Sequence, residues 1–585
     1  MNPSTRILVV LLVFAVFPGA TFAQTQTDAE LTPDGGFQVG PPESQADNPV
    51  TTLRAVVAAL DAQLGRSDLP AAVLAKLRHA RKQADNARGH FLALDSRLDM
   101  VVGDVATAVN AFDAAARVST DPALRAELRR QGGRLGDVAQ SLAANMLRVA
   151  RAAGVDPRQL AMAEANLALG DRLLAIGDPG GAAKFYKKVL PIKNALAFDV
   201  PQFRARLRFV LDGQTTGYAV AVNQGGMLVD SWGNGFRRTS ADSNPPVPFT
   251  PSDELNIASV TKTLTAATVL ELLQARDISV DDPIAPYLPF DWTRPQSAGA
   301  VIDPGELTFR QLMTHTSGLG GRNGGGGRRG CGMSFDGIKA CIAAGARISD
   351  QGFFYDNGNF ALFRVILINI IGGCNNANDG CLPHEDQWTA LAYRLKIQCF
   401  LLPRMGLSDG IIIFPYDTCE GPALAPNPAE APTTRFHWFP QTVGSVEPGD
   451  WLFSAGSGGW YFSALELAQF LAHLRYNDKI LNPVTRATMY EGFLGWMDPA
   501  NYGSMGTGVF GTYRMHGGDL CYPNLPVPAG VSVCAAAVQP RGVDTCIVDF
   551  PTGVQVVLLI NSMGGTYPYQ CRALQNAHDA SWTKK

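Results

Sequence analysis

The sequence is short of several features that would each indicate a class of protein. The chain of 585 residues has a formal net charge of -3, and charged residues make up only 17% of it. This balance argues against nucleic acid or an anionic membrane surface as the main partner. Its eight histidines form no His-Glu-x-x-His pattern, and its ten cysteines form no Cys-x-x-Cys pattern. The sequence therefore indicates neither a metal site nor another cofactor.

Cysteine is absent before Cys331, and all ten cysteines lie between that residue and Cys571. An even number in an oxidising compartment indicates disulfides, although a mixture of bridges and buried thiols has the same count. If the other eight cysteines pair across short loops, Cys546 and Cys571 remain and would pair with each other. The short-loop candidates are Cys331 with Cys341, Cys374 with Cys381, Cys399 with Cys419, and Cys521 with Cys534.

Long apolar runs are also few. Residues 1–23 combine Arg6, an apolar run over 7–17 and small residues near the end, which is typical of a secretory signal peptide. No cysteine stands at the cleavage point, so no lipoprotein anchor is indicated. The apolar segment 360–371 is too short to span a bilayer and contains Arg364, so we expect a buried core helix. The sequence predicts an exported protein, periplasmic or extracellular, without a membrane span.

The part of the chain before residue 213 differs from the rest, because after the leader it has neither cysteine nor tryptophan. Residues 24–48 are rich in proline and glycine and are interpreted as a flexible leader. Apolar periodicity then predicts an all-α region over 49–212. The predicted helices cover 49–64, 69–94, 101–117, 122–149, 157–175 and 179–196.

One segment of this helical region, 168–190, resembles a tetratricopeptide unit through Gly170, Gly177, Ala182 and Tyr186. A stable array needs about three such repeats, and the sequence has one clear copy. We interpret the region as a helical bundle or hairpin array that serves as a spacer. The alternative is a module that binds a protein partner or presents a substrate.

The segment IASVTKTLTAATVLELLQ places Ser259 and Lys262 one helical turn apart. A serine hydroxyl is a poor nucleophile at its own pKa, and a neighbouring lysine can act as its base. Apolar residues continue the helical period after Lys262, so Ser259 is expected near a helix N-terminus, where the macrodipole favours negative charge. The same spacing recurs at Ser581 and Lys584, which are interpreted as a frayed tail.

A competing serine pattern, GLSDG at 406–410, matches the nucleophile elbow of α/β-hydrolases. That elbow needs a strand before it and a helix after it. Three isoleucines follow at 411–413 and favour extended structure. We therefore interpret GLSDG as a turn.

Two motifs downstream of Ser259 add to the first: Tyr-Asp-Asn at 355–357, before an apolar helix, and His-Gly-Gly at 516–518. With these, the sequence resembles serine hydrolases of the β-lactamase and penicillin-binding protein superfamily. The resemblance is strongest to the branch with class C β-lactamases, D-amino-acid peptidases and related esterases. Further segments resemble signatures of that branch, in the family's order: 281–289, 307–319 and 454–474.

The resemblance implies an α+β fold for residues 213–585, with an antiparallel sheet flanked by helices and a mostly helical subdomain over 280–480. Alternating runs around two glycines over 218–233 predict a hairpin. The resemblance implies that the first and last strands share the sheet, and that a C-terminal helix from about 570 covers it. Later strands are predicted at 532–538, 543–549 and 554–561.

The resemblance also implies roles for the catalytic residues. Ser259 would attack the carbonyl of an ester or amide, and Lys262 and Tyr355 would move its proton. Free lysine and tyrosine titrate near ~10, so at least one pKa must fall by ~2 to 3 units for action near neutral pH. Which of the two is the base stays open. Asn357 would hold Lys262 and the substrate amide.

The His516-Gly517-Gly518 strand would line the substrate site, and backbone N–H groups of Ser259 and Asp519 would form the oxyanion hole. Many relatives have Lys-Thr-Gly here, so a permanent cation for a substrate carboxylate is missing. Histidine supplies that charge only when protonated, with a reference pKa near ~6.5.

Two flanking aspartates, Asp356 and Asp519, depart from the family pattern. An inward carboxylate at either position would raise the pKa of Tyr355 or repel an oxyanion. The glycine-rich segment 318–332 lacks the setting of a phosphate-binding loop. It is interpreted as a mobile rim whose arginines would bind anionic substrates. They are Arg322, Arg328 and Arg329.

Together these features predict an exported serine hydrolase that acts through an acyl-enzyme on a small ester or a D-amino-acid-type amide or peptide. One alternative is a catalytically idle binding or adaptor protein with the same fold. The other is a true β-lactamase or D-Ala carboxypeptidase.

Overall fold

The fold is taken from a computed structural model of the chain. The structure describes residues 48–93, 97–322, 328–371, 386–407, 417–418, 421–422, 434–445, 454–502, 505–522 and 541–585. These residues belong to one compact unit. It has the predicted α+β class, with an all-α region followed by a largely antiparallel sheet and its helices. The predicted signal peptide and nearly all of the predicted leader lie outside the described residues.

The N-terminal region is helical as predicted, and several of its helices begin in the same way. An N-cap Asn or Asp is followed by proline at the first helical position, where the missing N–H costs nothing. The capping residues are Asn48, Asp121, Asp156 and Asp178. The helices are α1 Pro49–Leu64, α2 Ala71–Leu92, α3 Leu98–Val118, α4 Pro122–Ala152, α5 Pro157–Ala175, α6 Pro179–Val189 and α7 Val200–Leu211.

Two differences from the predicted helices occur near the end of this region. The helix predicted over 179–196 leaves α-geometry after Val189 and continues as the 3-10 helix Leu190–Ala195. Pro191 lies in its first turn and cannot donate a backbone hydrogen bond. Helix α7 was not predicted, and it packs Phe203, Leu207 and Leu211 into the core.

Helices α5 and α6 pack closely where the tetratricopeptide-like glycine lies. A Cβ atom on Gly170 would be 2.3 Å from Cε1 of Tyr186. The Tyr186 ring is fully buried, and its hydroxyl donates a hydrogen bond to Asp171 Oδ1 at 3.0 Å. The ring is thus held over a position that only glycine can occupy.

The sheet has the order β9-β5-β7-β8-β2-β3-β4, with β6 also paired to β7. All its pairs are antiparallel except β5 with β9. The first hydrolase strand lies beside a late one, as the resemblance implies. The strands are β1 Leu196–Phe198, β2 Gly217–Gln224, β3 Met227–Arg238, β4 Val247–Pro248, β5 His437–Trp438, β6 Arg514–Tyr522, β7 Arg541–Asp549, β8 Val554–Ile560, β9 Ser562–Met563 and β10 Trp582–Lys584.

Both faces of the sheet are covered, because alternate residues of β2 enter different cores. Ala219 and Ala221 join the larger core, which also includes the N-terminal helices. Val220 and Val222 join a second core that includes the C-terminal helix. The predicted hairpin is present, and its turn glycines Gly225 and Gly226 have φ of 61° and 81°.

The remaining helices surround the sheet or lie between its strands in sequence. The apolar segment 360–371, which was predicted as a core helix, is buried within helix α11, Asn357–Ile371. No helix in the described part of the chain is long and apolar enough to cross a membrane. The helices are α8 Thr261–Ala275, α9 Phe309–Met313, α10 Phe335–Ala344, α11 Asn357–Ile371, α12 Asp386–Lys396, α13 Ala464–Tyr476, α14 Pro483–Glu491 and α15 Gln570–Asp579.

Short paired strands complete the connections between these helices. They are Leu255–Asn256 with Tyr461–Phe462, Val301–Ile302 with Ala346–Arg347, Gly321–Arg322 with Arg328–Arg329, Asp417–Thr418 with Gly421–Pro422, and Thr507–Gly508 with Gly511–Thr512. The predicted strand 532–538, the centre of the predicted rim and Ser408 of GLSDG lie outside the described residues.

The C-terminal tail is ordered, so its interpretation as a frayed end was wrong. Strand β10 pairs antiparallel with β1, and the Trp582 ring packs against Phe198 with the ring centroids 5.4 Å apart and the planes tilted by 57°. Ser581 is fully buried and donates a hydrogen bond to the carbonyl of Ala577 at 2.6 Å. The tail therefore joins the helical region to the end of the hydrolase region.

Two of the predicted disulfides are confirmed, Cys331–Cys341 and Cys546–Cys571. Cys521 is also disulfide-bonded. The other predicted pairs fall wholly or partly outside the described residues. The boundary between a helical domain and a hydrolase domain near residue 212 stays a prediction, because both regions lie in the same compact unit.

The α5–α6 contact gives a first test of the fold. We expect Gly170→Ala to lower the free energy of unfolding by about 1–3 kcal/mol, because the added methyl overlaps the fixed ring of Tyr186. Gly133→Ala is the matched control, since that helical glycine has open space around it. It should stabilise by about 0.5–1 kcal/mol through helix propensity. Urea unfolding measures both, and equal effects would contradict the packing described here.

Candidate active site

Ser259 lies in the turn that leads into helix α8, which agrees with the position expected from the sequence. The preceding residue, Ala258, has φ of 50°, a left-handed conformation that a residue with a Cβ seldom adopts. Its N–H donates to Asn256 Oδ1 at 2.9 Å, which helps to hold this turn. The Ser259 side chain is half-buried, whereas its neighbours on both sides are buried. The strained turn therefore leaves the hydroxyl accessible.

Lys262 is fully buried and makes three hydrogen bonds through Nζ. It donates to Ser259 Oγ at 3.0 Å, to Asn357 Oδ1 at 2.7 Å and to the carbonyl oxygen of Ser457 at 2.8 Å. Burial lowers the pKa of Lys262 to about 7, against the opposing attraction of Asp356. Both protonation states of the amine are therefore populated near neutral pH.

Tyr355 faces the same pair of residues. Its ring centroid lies 4.9 Å from Lys262 Nζ. Burial raises the pKa of Tyr355 well above its usual value, and the neighbouring Ser259 side chain opposes this increase. The charges of Asp519 and Asp356 raise the pKa further. Tyr355 is therefore a neutral phenol at neutral pH.

Asp356 does not face solvent, and its carboxylate holds the surrounding backbone. Oδ1 accepts a hydrogen bond from the N–H of Gly358 at 2.9 Å, and Oδ2 accepts one from Cys331 at 3.1 Å. The end of the glycine-rich segment is thereby fixed beside the Tyr355 turn, and the Cys331–Cys341 disulfide lies at the same place. An inward carboxylate at this position was expected to raise the pKa of Tyr355, and Asp356 does so.

The strand β6 passes directly against the nucleophile turn. A Cβ atom on Gly518 would lie 2.6 Å from the carbonyl oxygen of Ile257 and 2.8 Å from the backbone nitrogen of Ser259. No larger residue fits at that distance. A Cβ atom on Gly517 would instead meet the hydroxyl of Tyr569 at 1.9 Å, on the opposite face of the strand. Both glycines of the motif are therefore required by close approach.

His516 lies in the site as a neutral imidazole. It is buried, and its Nδ1 lies 2.7 Å from the carbonyl oxygen of Gly517. Burial, with help from the nearby Lys262 charge, lowers its pKa to about 3. The positive charge that relatives place at this position is thus absent at neutral pH.

The side chain of Asp519 lies on the face away from Ser259. Its Oδ1 accepts a hydrogen bond from Gln570 at 2.5 Å, and Asp544 stands directly opposite in the β6–β7 register. Burial raises the pKa of both carboxyls, and for Asp544 the charge of Asp519 raises it further. The carboxylate therefore does not face an oxyanion at Ser259, although its charge still raises the pKa of Tyr355.

Two contributors to the site were not identified from the sequence. His315 has φ of 56°, its ring lies 4.5 Å from that of Tyr355, and its Nδ1 accepts a hydrogen bond from the N–H of Asp356 at 3.2 Å. The carbonyl of Ser457 binds Lys262. Both lie in segments that resemble family signatures, 307–319 and 454–474, so that resemblance was the available signal.

A small pocket opens beside Tyr355 and His516, with a cavity volume of about 10 Å³, the space of about one water molecule. Aromatic and methionine side chains form most of its lining. The residues from 493–502 that contribute to it are Phe493, Gly495, Trp496, Met497, Asp498 and Tyr502. The pocket therefore presents an apolar surface beside Tyr355 and His516.

An α+β fold that brings a serine, a buried lysine and a tyrosine together is typical of a serine hydrolase. Residues 198–369 match the family model described as Beta-lactamase. Over this segment the match supports the resemblance to the β-lactamase and penicillin-binding protein superfamily of serine hydrolases. No curated protein matches the chain with significant sequence similarity.

Several solved structures are similar to the chain. The octameric penicillin-binding protein homologue from Pyrococcus abyssi is 19% identical, over 64% of this chain and 76% of its own, with a TM-score of 0.44. A beta-lactamase/D-alanine carboxypeptidase from Yersinia pestis is 16% identical, over 65% and 96%, with a TM-score of 0.44. The D-amino acid amidase from Ochrobactrum anthropi SV3 is 15% identical, over 65% and 97%, with a TM-score of 0.41.

The neutral state of His516 can be tested by NMR titration of the histidine rings. We expect that the His516 signals, assigned by their loss in His516→Gln, do not shift between pH 5 and pH 8, because the pKa is lowered to about 3. Free histidine added to the same sample provides the reference titration near ~6.5. A midpoint near ~6.5 for His516 would contradict the buried neutral imidazole.

Proposed function

We propose that the protein hydrolyses a small ester or a D-amino-acid-type amide or peptide through an acyl-enzyme on Ser259. The observation that carries this proposal is the 3.0 Å contact between Lys262 Nζ and Ser259 Oγ, together with the pKa of Lys262 near 7. A neutral amine at this distance accepts the serine proton while Oγ forms a bond to the carbonyl carbon. Lys262 is therefore the preferred general base.

Tyr355 takes the complementary role in this proposal. Its raised pKa keeps the phenol protonated, and Ser259 is close enough to influence that pKa. It can donate its proton to the leaving alcohol or amine as the carbonyl carbon–heteroatom bond breaks, and it is reprotonated by the proton that Lys262 has taken. Water then attacks the acyl-enzyme along the reverse route and releases the acid. Asn357 holds the amine in place through its 2.7 Å hydrogen bond.

The oxyanion that forms during attack needs donors close to Ser259. The backbone N–H groups of Ser259 and Asp519 are proposed for this role, an effect of a few kcal/mol in other enzymes. The close passage of Gly518 beside the Ser259 nitrogen supports it. The Asp519 carboxylate lies on the face of the strand away from Ser259. This also supports the role, because the carboxylate does not face the oxyanion.

The substrate group that meets His516 is proposed to be uncharged. A buried imidazole with a pKa of about 3 offers no cation to a carboxylate at neutral pH. This favours esters and D-amino-acid amides over penicillins or peptides that end in free D-alanine. Gly517 and Gly518 would line the same edge of the substrate site through their backbone.

Export to an oxidising compartment is part of the proposal. Cys331–Cys341 and Cys546–Cys571 are disulfides, and bonds of this kind persist outside the reducing cytosol. The alternative of an idle binding shell is disfavoured by the intact contact between Ser259 and Lys262.

Covalent labelling tests the nucleophile directly. The intact mass of the purified protein should increase by one adduct after incubation with a fluorophosphonate, and Ser259→Ala should remove this increase. A penicillin, tested separately, should give little or no adduct because no cation faces its carboxylate. Failure of the folded wild type to react with either reagent would favour the idle-shell alternative.

The pH dependence of labelling tests the base. The rate of fluorophosphonate modification should rise with pH and level off above a midpoint of about 7, because only neutral Lys262 accepts the serine proton. Lys262→Arg should lose most of the labelling rate and also its rise with pH, since arginine stays charged. His516→Gln should keep the midpoint. A midpoint near ~10 would assign the base to an unperturbed group.

A further inference from the structure

We infer that the N-terminal helical region is a working part of the catalytic site, because helix α1 and its capping residue position the segment 493–502 that walls the pocket. The part of this inference that concerns substrate preference rests on the proposed function. The positioning itself rests on contacts alone. It differs from both sequence interpretations of the helical region, a spacer and a partner-binding module.

The first set of contacts joins helix α1 to the pocket wall. Arg54 forms an ion pair with Asp498, at 2.9 Å between Nη2 and Oδ2. Asn48 donates from Nδ2 to the carbonyl oxygen of Pro499 at 3.2 Å, and its Oδ1 accepts from Thr507 Oγ1 at 3.4 Å. The same Oδ1 caps the helix by accepting from the N–H of Val50. The Asn48 side chain therefore both caps helix α1 and binds the pocket wall.

A second contact joins the helical region to the strand that carries His516. Arg514 is almost fully buried, and its guanidinium donates to the carbonyl of Leu92 at the end of α2. It also donates from Nε to the carbonyl of Tyr490 at 2.7 Å and lies 4.4 Å from the ring centroid of Phe493. Burial lowers its pKa only to about 10, so the guanidinium stays charged at neutral pH.

The wall is linked in turn to the catalytic elements. The N–H of Met497 donates to the carbonyl of Met515 at 2.9 Å, and the N–H of Gly517 points to Met497 Sδ at 3.3 Å. Thr263, in the first turn of the nucleophile helix, donates to the carbonyl of Gly495 at 2.7 Å. A shift of the wall is therefore transmitted to both sides of the site.

The pocket determines which substrates should sense such a shift. Its lining on the wall side includes Phe493, Trp496, Met497 and Tyr502, so a bulky apolar group of a substrate would contact the wall directly. A substrate with a group of that kind depends on the position of the wall, whereas a substrate with only a methyl group does not. Asn48 and Arg54 are thus positioning residues for the binding of apolar groups.

The positioning is tested on the full chain by hydrogen exchange and mass spectrometry. We expect the double variant Asn48→Ala with Arg54→Met to exchange faster in peptides that cover 493–502, with no change in peptides that cover β2. The single variant Arg54→Lys, which keeps Asn48 and a positive charge at position 54, should retain most of the protection from exchange. The matched control is Arg204→Met, which removes a 3.3 Å ion pair between α7 and Asp230 on β3, with no contact to the wall.

The effect on the site is tested with two fluorophosphonates, one carrying a methyl and one a benzyl group. In the double variant the apparent dissociation constant of the benzyl reagent should increase by about three- to tenfold, because a binding surface is misplaced. The limiting rate of labelling at saturating reagent should change little. Modification by the methyl reagent should stay within about twofold of wild type. Arg204→Met should behave as wild type with both reagents.

The results separate this inference from the proposed function. Unchanged exchange over 493–502 in the double variant would overturn the inference, whatever the labelling shows. Equal losses with both reagents would overturn it as well, because a general loss of stability acts on both. If exchange increases but the wild type reacts with neither reagent, the positioning stands and the proposed reaction fails.

Discussion

The buried ammonium group of Lys262 is the constraint on which the site depends. A charged amine taken out of water is costly unless acceptors surround it. One acceptor, Ser259, lies in the same turn, and the other two come from distant parts of the chain: Asn357 at the start of α11 and the carbonyl of Ser457. The fold must therefore bring these elements together before the amine can be buried. Once buried, the same amine has a pKa suited to proton transfer.

The electrostatics of the neighbouring groups follow from this burial. Low polarity disfavours the charged form of every group in the site, so His516 and His315 stay neutral and Tyr355 stays protonated. The charge on Lys262 further disfavours protonation of both imidazoles. In the proposed mechanism, one desolvated cation thus sets which groups act as base and acid. The same burial underlies the proposal that the substrate is uncharged.

The parts of the structure that depend on local sequence were the parts that could be predicted. The i, i+3 spacing of Ser259 and Lys262, the proline-capped helices and the glycine hairpin are all encoded within a few residues. The carbonyl of Ser457 carries no signal in its own side chain. The orientation of Asp519 depends on strand pairing with β7, and the contact of Arg514 with Leu92 joins distant segments. Long-range packing of this kind leaves no periodicity from which to infer it.

The pairing of β1 with β10 has a consequence for how such a protein can change over evolution. The strand after the helical region and the strand at the end of the hydrolase region complete each other's hydrogen bonds, and the N–H of Lys585 also donates to the carbonyl of Ala195. An exchange of either region with that of another protein would leave unpaired backbone groups at this seam. The two regions are therefore expected to be inherited together, as one unit of selection rather than as interchangeable modules.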